Sequence, residues 1–236
     1  MKNPVYSLFM VALVLLSASF SFAAADEIRF VYEDYAPYAY QENGEAKGFH
    51  VDIIRVVCSR IGVTPIFLHR PWARAIEDVR TGVADGIISI FKNSEREKYL
   101  YYPDLGLSEE ESVVFVKRDG PEVTTIQDLD GLKVGIIRGY FYGEGVREQL
   151  PSKIYEFLDG EMLLRMLGEN RISAGLGIRN TGEYMLEKLD YEDQIVVALV
   201  LSKRQMYVGF SKEMGERGKR LVEDFNRELK KLKVIE

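Results

Sequence analysis

Two histidines and one cysteine are all that the chain offers of the side chains that most often ligate metals or carry nucleophilic catalysis. His50 lies in the Gly48 to Asp52 entry to a helix and His69 closes a strand. Cys58 sits in the apolar-periodic stretch Ile53-Ile54-Arg55-Val56-Val57-Cys58 and reads as a small buried hydrophobe. A zinc site needs a fuller ligand set than this, and neither a G-x-S-x-G elbow nor a phosphate loop is present. No metal and no cofactor is therefore expected. Two other kinds of side chain can do recognition chemistry: a guanidinium is a planar, two-pronged donor that matches a carboxylate, and aromatic rings supply apolar walls that also hold a cation against their faces.

The elements that must position such groups alternate. Strand-like runs such as Ile28-Arg29-Phe30-Val31-Tyr32 and Gly86-Ile87-Ile88-Ser89-Ile90 are separated by helical patterns over Val51 to Ile61 and Arg74 to Thr81, which predicts an α/β fold. Asn43-Gly44 marks a hairpin-like insertion, and Gly62 and Gly82 follow the two helices. A second cycle starts near Thr125, with the strand pattern Lys133 to Ile137, a turn at Gly139, a helix from Gly160 to Glu169 and an apolar run from Ile172 to Ile178. Leu221, Val222, Phe225, Leu229 and Leu232 then fall at helical spacing within Arg217 to Lys233, an amphipathic helix that should pack on a lobe surface.

The first residues point to export. Lys2 precedes an uncharged apolar stretch from Val5 to Leu16, and small residues follow up to Ala23-Ala24-Ala25, the layout of a cleaved secretory signal over residues 1–25. The apolar run is shorter than the about 18 to 20 residues of a membrane-spanning helix, and no cysteine stands at the cleavage point to take a lipid. Cleavage removes one positive charge and takes the net charge from −6 to −7. An acidic chain lacks the basic surface that phosphate backbones demand, so no nucleic-acid partner is expected. The single cysteine excludes an internal disulfide. The roughly 210 remaining residues, in a chain that is 47% apolar, suffice for one large domain or two lobes.

Tyr35-Ala36-Pro37-Tyr38, Gly48-Phe49-His50-Val51-Asp52, Gly82-Val83-Ala84-Asp85-Gly86, Glu95-Arg96-Glu97-Lys98, Tyr102-Pro103-Asp104 and Asp128-Leu129-Asp130-Gly131-Leu132-Lys133-Val134-Gly135 occur in one order along nearly the whole mature chain. In that order and spacing the chain resembles the family 3 extracellular solute-binding proteins of the polar amino acid type. The resemblance implies a two-lobe, periplasmic-binding-protein-like α/β fold of type II with a hinge between the lobes. Residues 26–107 and 204–236 would form lobe 1 and residues 108–203 lobe 2, with crossings near Gly106 to Glu110 and Ser202 to Met206. It further implies a monomer, free in the periplasm, that closes on a small carboxylate-bearing ligand and presents the closed form to the membrane permease of an ABC transporter.

The same resemblance assigns the site. Arg96 stands where the family grips the ligand carboxylate, and Trp72 and Tyr35 stand where it places aromatic walls. Ser89 and Phe91 match strand-end positions that contact the ligand, Phe91 departing from a frequent hydroxyl, and Asn93 stands where threonine is common. Gly139-Tyr140-Phe141 matches a glycine-threonine turn at a helix start, whose free N–H groups favour an anion. Ile178 replaces the aspartate that usually meets an α-ammonium. Either Glu33, Asp34 or Glu183 then substitutes, or the ligand is not a standard α-amino acid. Arg179, beside Ile178, suggests a second anionic group, and Arg74 is a further candidate. Two other outputs stay open: an enzyme on the same fold, of the cyclic-acid dehydratase type, and a module that signals to a receptor.

Overall fold

The computed structural model describes residues 26–233, so the expected leader over residues 1–25 lies outside the described residues. β1 (Glu27–Tyr32) runs parallel to β4 (Thr64–His69) on one side and to β5 (Gly86–Phe91) on the other. Parallel neighbours need crossover connections, and these are α1 (Phe49–Ile61) and α2 (Trp72–Arg80). Between β1 and α1 comes the small hairpin of β2 (Tyr40–Glu42) and β3 (Glu45–Lys47), turned by Asn43 and Gly44, both at positive φ. α1 begins after Gly48, where φ is 112° and an added Cβ would sit 2.4 Å from the Tyr38 carbonyl oxygen. Only glycine lets the Tyr35–Tyr38 turn lie this close to the helix start. Gly62, in the left-handed region, returns its N–H to the Cys58 and Ser59 carbonyls and ends the helix.

A second parallel set contains β8 (Val134–Ile137), β9 (Ile154–Phe157) and β10 (Ala174–Ile178), with α3 (Gly160–Gly168) leading to β10 and α4 (Arg179–Lys188) following it. Two long antiparallel strands join the sets: β7 (Ser108–Lys117), which pairs with β10, and β11 (Ile195–Ser211), which pairs with β7 along its first part and with β5 at its end. β6 (Leu100–Tyr101) adds to the end of β11. All but the β2–β3 hairpin belong to a single sheet ordered β4-β1-β5-β11-β7-β10-β8-β9. The stretch that links its two halves is the pairing Ser108–Glu111 against Lys203–Met206.

Each half has its own core on both faces of the sheet, as alternating side chains require. In the first half Ile28 and Phe30 face α1 and α5 (Glu216–Lys233), meeting Ile54, Val57, Cys58, Phe210 and Phe225, while Val31 and Ile87 face Ala75 and Val79 of α2. In the second half Val114, Val134 and Leu176 fill one face, and Phe115, Leu163, Leu167 and Leu186 the other. The helical stripe of Leu221, Phe225 and Leu229 is buried as its spacing predicts, and Phe225 meets Phe210 edge-on at 4.9 Å.

Phe225→Ala should destabilise the chain by about 3–5 kcal/mol in urea unfolding, because the ring is fully enclosed; a loss below about 1 kcal/mol would show that α5 does not close the first core.

Candidate functional site

The ends of β1 and β5 in the first half face the end of β8 in the second. Past Tyr32 the chain continues into Glu33, Asp34 and Tyr35, and the Tyr35 ring is buried against Phe91, Ile178 and Met206. Ser89 lies in β5 at φ 60°, a left-handed value that a serine adopts only under constraint and that costs about 1–3 kcal/mol. Its Oγ is 2.8 Å from Nδ1 of His50, whose ring stacks on Tyr38 at 4.7 Å between centroids. Burial pushes the His50 imidazole down to about 3, so it is neutral, and its Nε2 has no partner. A buried bare nitrogen is cheaper than a buried orphan N–H. The ring proton therefore belongs on Nδ1, which leaves the Ser89 hydroxyl proton free to point at the cavity.

Arg96 follows β5 in a one-turn helix fixed by its backbone N–H on Asn93 Oδ1 at 2.8 Å. Its residue is 6% exposed. Nη1 donates to the Phe91 carbonyl at 2.8 Å, Nη2 to the Gly139 carbonyl at 3.0 Å, and the guanidinium carbon lies 5.4 Å from the centre of the Trp72 ring. Trp72 Nε1 donates to the same Gly139 oxygen at 3.0 Å. Among the described residues no carboxylate oxygen lies within 4.0 Å of the Arg96 guanidinium. Burial holds its pKa below the ordinary arginine value, with Tyr102, Tyr99 and Glu33 opposing.

The opposing wall is Tyr140. Its ring meets Trp72 edge-on at 5.8 Å, and its hydroxyl donates to Glu33 Oε1 at 2.5 Å. Glu33 is buried, and desolvation pushes its carboxyl up to about 8; Asp159 and Asp34 add to the rise, while the Tyr140 hydrogen bond and Arg96 work against it. A fourth tie between the halves is Asn180 Nδ2, which donates to the Tyr38 hydroxyl at 2.8 Å and, within its own half, to the buried Glu110 at 3.1 Å.

Tyr35, Trp72, Ser89, Phe91, Arg96, Tyr140 and Phe141 thus border one cavity between the halves, together with Glu33, Ile178 and Met206. Its volume is ≈ 20 Å³, about the space of one water. The two halves are closed on each other, and Tyr140 fills the cleft. Gly139 contributes differently from expectation. The chain after it does not enter a helix, and at φ 77° it presents its carbonyl, not an N–H, to Arg96 and Trp72. Arg179 is likewise not available as a second anion receptor, because Nε donates to Glu111 at 2.6 Å and Nη1 to Glu183 at 3.4 Å. Arg74, itself exposed, pairs with the buried Asp78 of α2 at 2.7 Å. Of the three acids weighed against the loss at Ile178, only Glu33 borders the cavity; Glu183 is held by Arg179 and Asp34 accepts from the Gln41 N–H. Met206 lay beyond sequence reasoning, since nothing in its neighbours marks it. Among the described residues no group of three or more His, Cys, Asp or Glu is placed to hold a metal.

The sequence profile of the bacterial extracellular solute-binding proteins, family 3, matches residues 28–234. The chain belongs to that family. The histidine-binding periplasmic protein of Escherichia coli (strain K12) is 29% identical over 143 residues, 59% of this chain and 54% of that one. The matched stretch therefore spans about half the length of the curated relative. Among solved structures, a histidine kinase sensor domain with similarity to periplasmic binding proteins superposes at a TM-score of 0.79 with 18% identity, covering 90% of this chain and 91% of the other. Holo ArgBP from T. maritima gives 0.75 with 24% identity, covering 88% and 90%. These likenesses show the fold, the two-lobed α/β architecture of periplasmic binding proteins.

Because Glu33 is raised above an unfolded carboxyl, the folded chain retains a proton that the unfolded chain has lost; this stability is full below the unfolded carboxyl's range and disappears as pH rises through about 8. Glu33→Gln should therefore gain on the wild type, by on the order of a few kcal/mol, between about pH 5 and about pH 9 in urea unfolding. A difference that does not move with pH would mean that the carboxyl is hydrated.

Proposed function

We propose that this protein is the periplasmic substrate-binding component of an ABC-type transporter, closing on a small carboxylate-bearing solute such as an amino acid and handing it unchanged to a membrane permease. The observation that carries the reading is Arg96: a buried guanidinium, stacked over a ring, whose partners among the described residues are two carbonyl oxygens and no carboxylate. An unpaired buried charge is costly. Exchanging the Gly139 carbonyl for a ligand carboxylate would give the guanidinium the counter-charge and two-pronged geometry it lacks.

The moving parts follow the sheet. Lobe 1, residues 26–107 and 204–236, and lobe 2, residues 108–203, would swing about the paired stretch Ser108–Glu111 and Lys203–Met206, breaking Tyr140–Glu33, Arg96–Gly139, Trp72–Gly139 and Asn180–Tyr38 on opening. These are few and polar, which suits a reversible closure. Family membership supports export and a monomeric chain.

Thermal unfolding against amino acids, dicarboxylates and cyclic acids tests this, since a ligand of the native state raises its stability by mass action. A rise with a carboxylate-bearing solute, recovered chemically unchanged, is expected. Arg96→Ala should lose about 3 kcal/mol of binding, a roughly hundredfold higher Kd by calorimetry, and Arg96→Lys should not restore it. Undiminished binding by Arg96→Ala, or conversion of the solute, would refute the reading.

A further inference from the structure

The residues around the cavity divide unevenly between the halves. Tyr140, Phe141 and Ile178, from the second half, bring no charge, whereas the first half brings both Arg96 and Glu33. Both are buried, and both border the same ≈ 20 Å³ space. Their separation is set within one half and does not change when the cleft opens. The rings of Tyr35, Trp72 and Tyr140 border the same cavity as Glu33, and aromatic rings can hold a desolvated cation. Of the carboxylate's two oxygens, Oε1 accepts from the Tyr140 hydroxyl, while among the described residues no donor pairs with Oε2.

We propose that Glu33 is the cation-recognising residue of the cleft, so that an α-amino acid is anchored through both its charges on the first half, and that the Tyr140 hydroxyl stands in for the ligand ammonium when the cleft is empty. This rests on the carboxylate reading of Arg96 and adds to it the partner of the second charge. The position that carries no acid, Ile178, is then no obstacle to an ammonium, because the carboxylate has moved across the cleft. The ammonium displaces the Tyr140 hydroxyl from Oε1, and Oε2, which has no donor among the described residues, accepts from it as well.

A proton accompanies the exchange. The groups facing Glu33 are Tyr140, Tyr35 and Tyr142, the carboxylates of Asp34 and Asp159, and the guanidinium of Arg96. Burial among them keeps Glu33 protonated at neutral pH, with its pKa at about 8. An arriving ammonium pairs only with the carboxylate, so the carboxyl proton leaves to the buffer as the ligand enters.

Calorimetry with the purified chain reads both parts. The twenty L-amino acids are screened first, and the tightest is compared with its α-hydroxy acid, which keeps the carboxylate and side chain and lacks the cation. The wild type should prefer the amino acid at least about tenfold, and its binding enthalpy near neutral pH should differ between phosphate and Tris buffers by the release of about one proton. Glu33→Gln should erase both the preference and the buffer dependence. The wild-type buffer measurement stands even if that variant folds poorly. Equal affinity for the two acids, no proton release, or an unchanged preference in Glu33→Gln would overturn the assignment, and with Arg96→Ala still abolishing binding the carboxylate reading would survive it. A wild type that binds none of the amino acids removes this inference; the carboxylate reading falls with it only if dicarboxylates and cyclic acids also fail.

Discussion

A guanidinium taken out of water, with no carboxylate paired to it among the described residues, is the constraint around which the cleft is organised. Arg96 could have been paired as Arg29 is with Asp85, through two nitrogens on two oxygens, or as Arg179 is with Glu111. Instead its two assigned partners are main-chain carbonyls, one from each half of the molecule. A carbonyl dipole compensates a buried charge less fully than an ion does. The shortfall is spread over neighbours: the Trp72 ring beneath, the Gly139 oxygen that must also serve Trp72, and the positive φ of Gly139 that turns that oxygen inward. An added Cβ at Gly139 would approach Trp72 Cδ1 to 3.3 Å, tight enough that the close contact of the halves favours glycine here.

The sheet explains how such a site can both form and come apart. Parallel units on each side carry separate cores, so neither depends on the other for its burial. β7 and β11 run through both, and where they cross the boundary Arg204 lies opposite Glu110 and Gln205 opposite Glu109 in the ladder. Pairing shifts register between Val197 and Leu199, between Val200 and Ser202, and again against β5 between Tyr207 and Gly209. Irregularities of this kind bend and twist strands. Cleft contacts between the halves are a handful of hydrogen bonds and the small apolar group of Tyr35, Phe91, Ile178 and Met206, modest beside either core.

Local patterns made much of this legible. Asn43-Gly44 and Gly62 are where the chain needs left-handed residues, and the stripe from Leu221 to Leu229 is buried because its period matches a helix. The cleft positions of Arg96, Trp72, Tyr35, Ser89, Phe91, Tyr140 and Phe141 followed from ordered short motifs, not from propensity. What local pattern misses is partnership at long range. Tyr140 finds Glu33 across 107 positions and Arg179 finds Glu111 across 68, so a free acid and a free arginine look alike in sequence. The turn at Gly139 was visible, but whether it offers N–H or C=O depends on the strand end that precedes it. Tyr and Phe at 140 and 141 are followed by no helical pattern, and that was the signal against a helix start.

A crystal structure of the chain with the solute that stabilises it most would test the account at its centre. Both carboxylate oxygens are expected within about 3 Å of the Arg96 guanidinium nitrogens, with the Gly139 carbonyl displaced and Trp72 still beneath. A solute lodged elsewhere, with Arg96 still donating to Gly139, would contradict it.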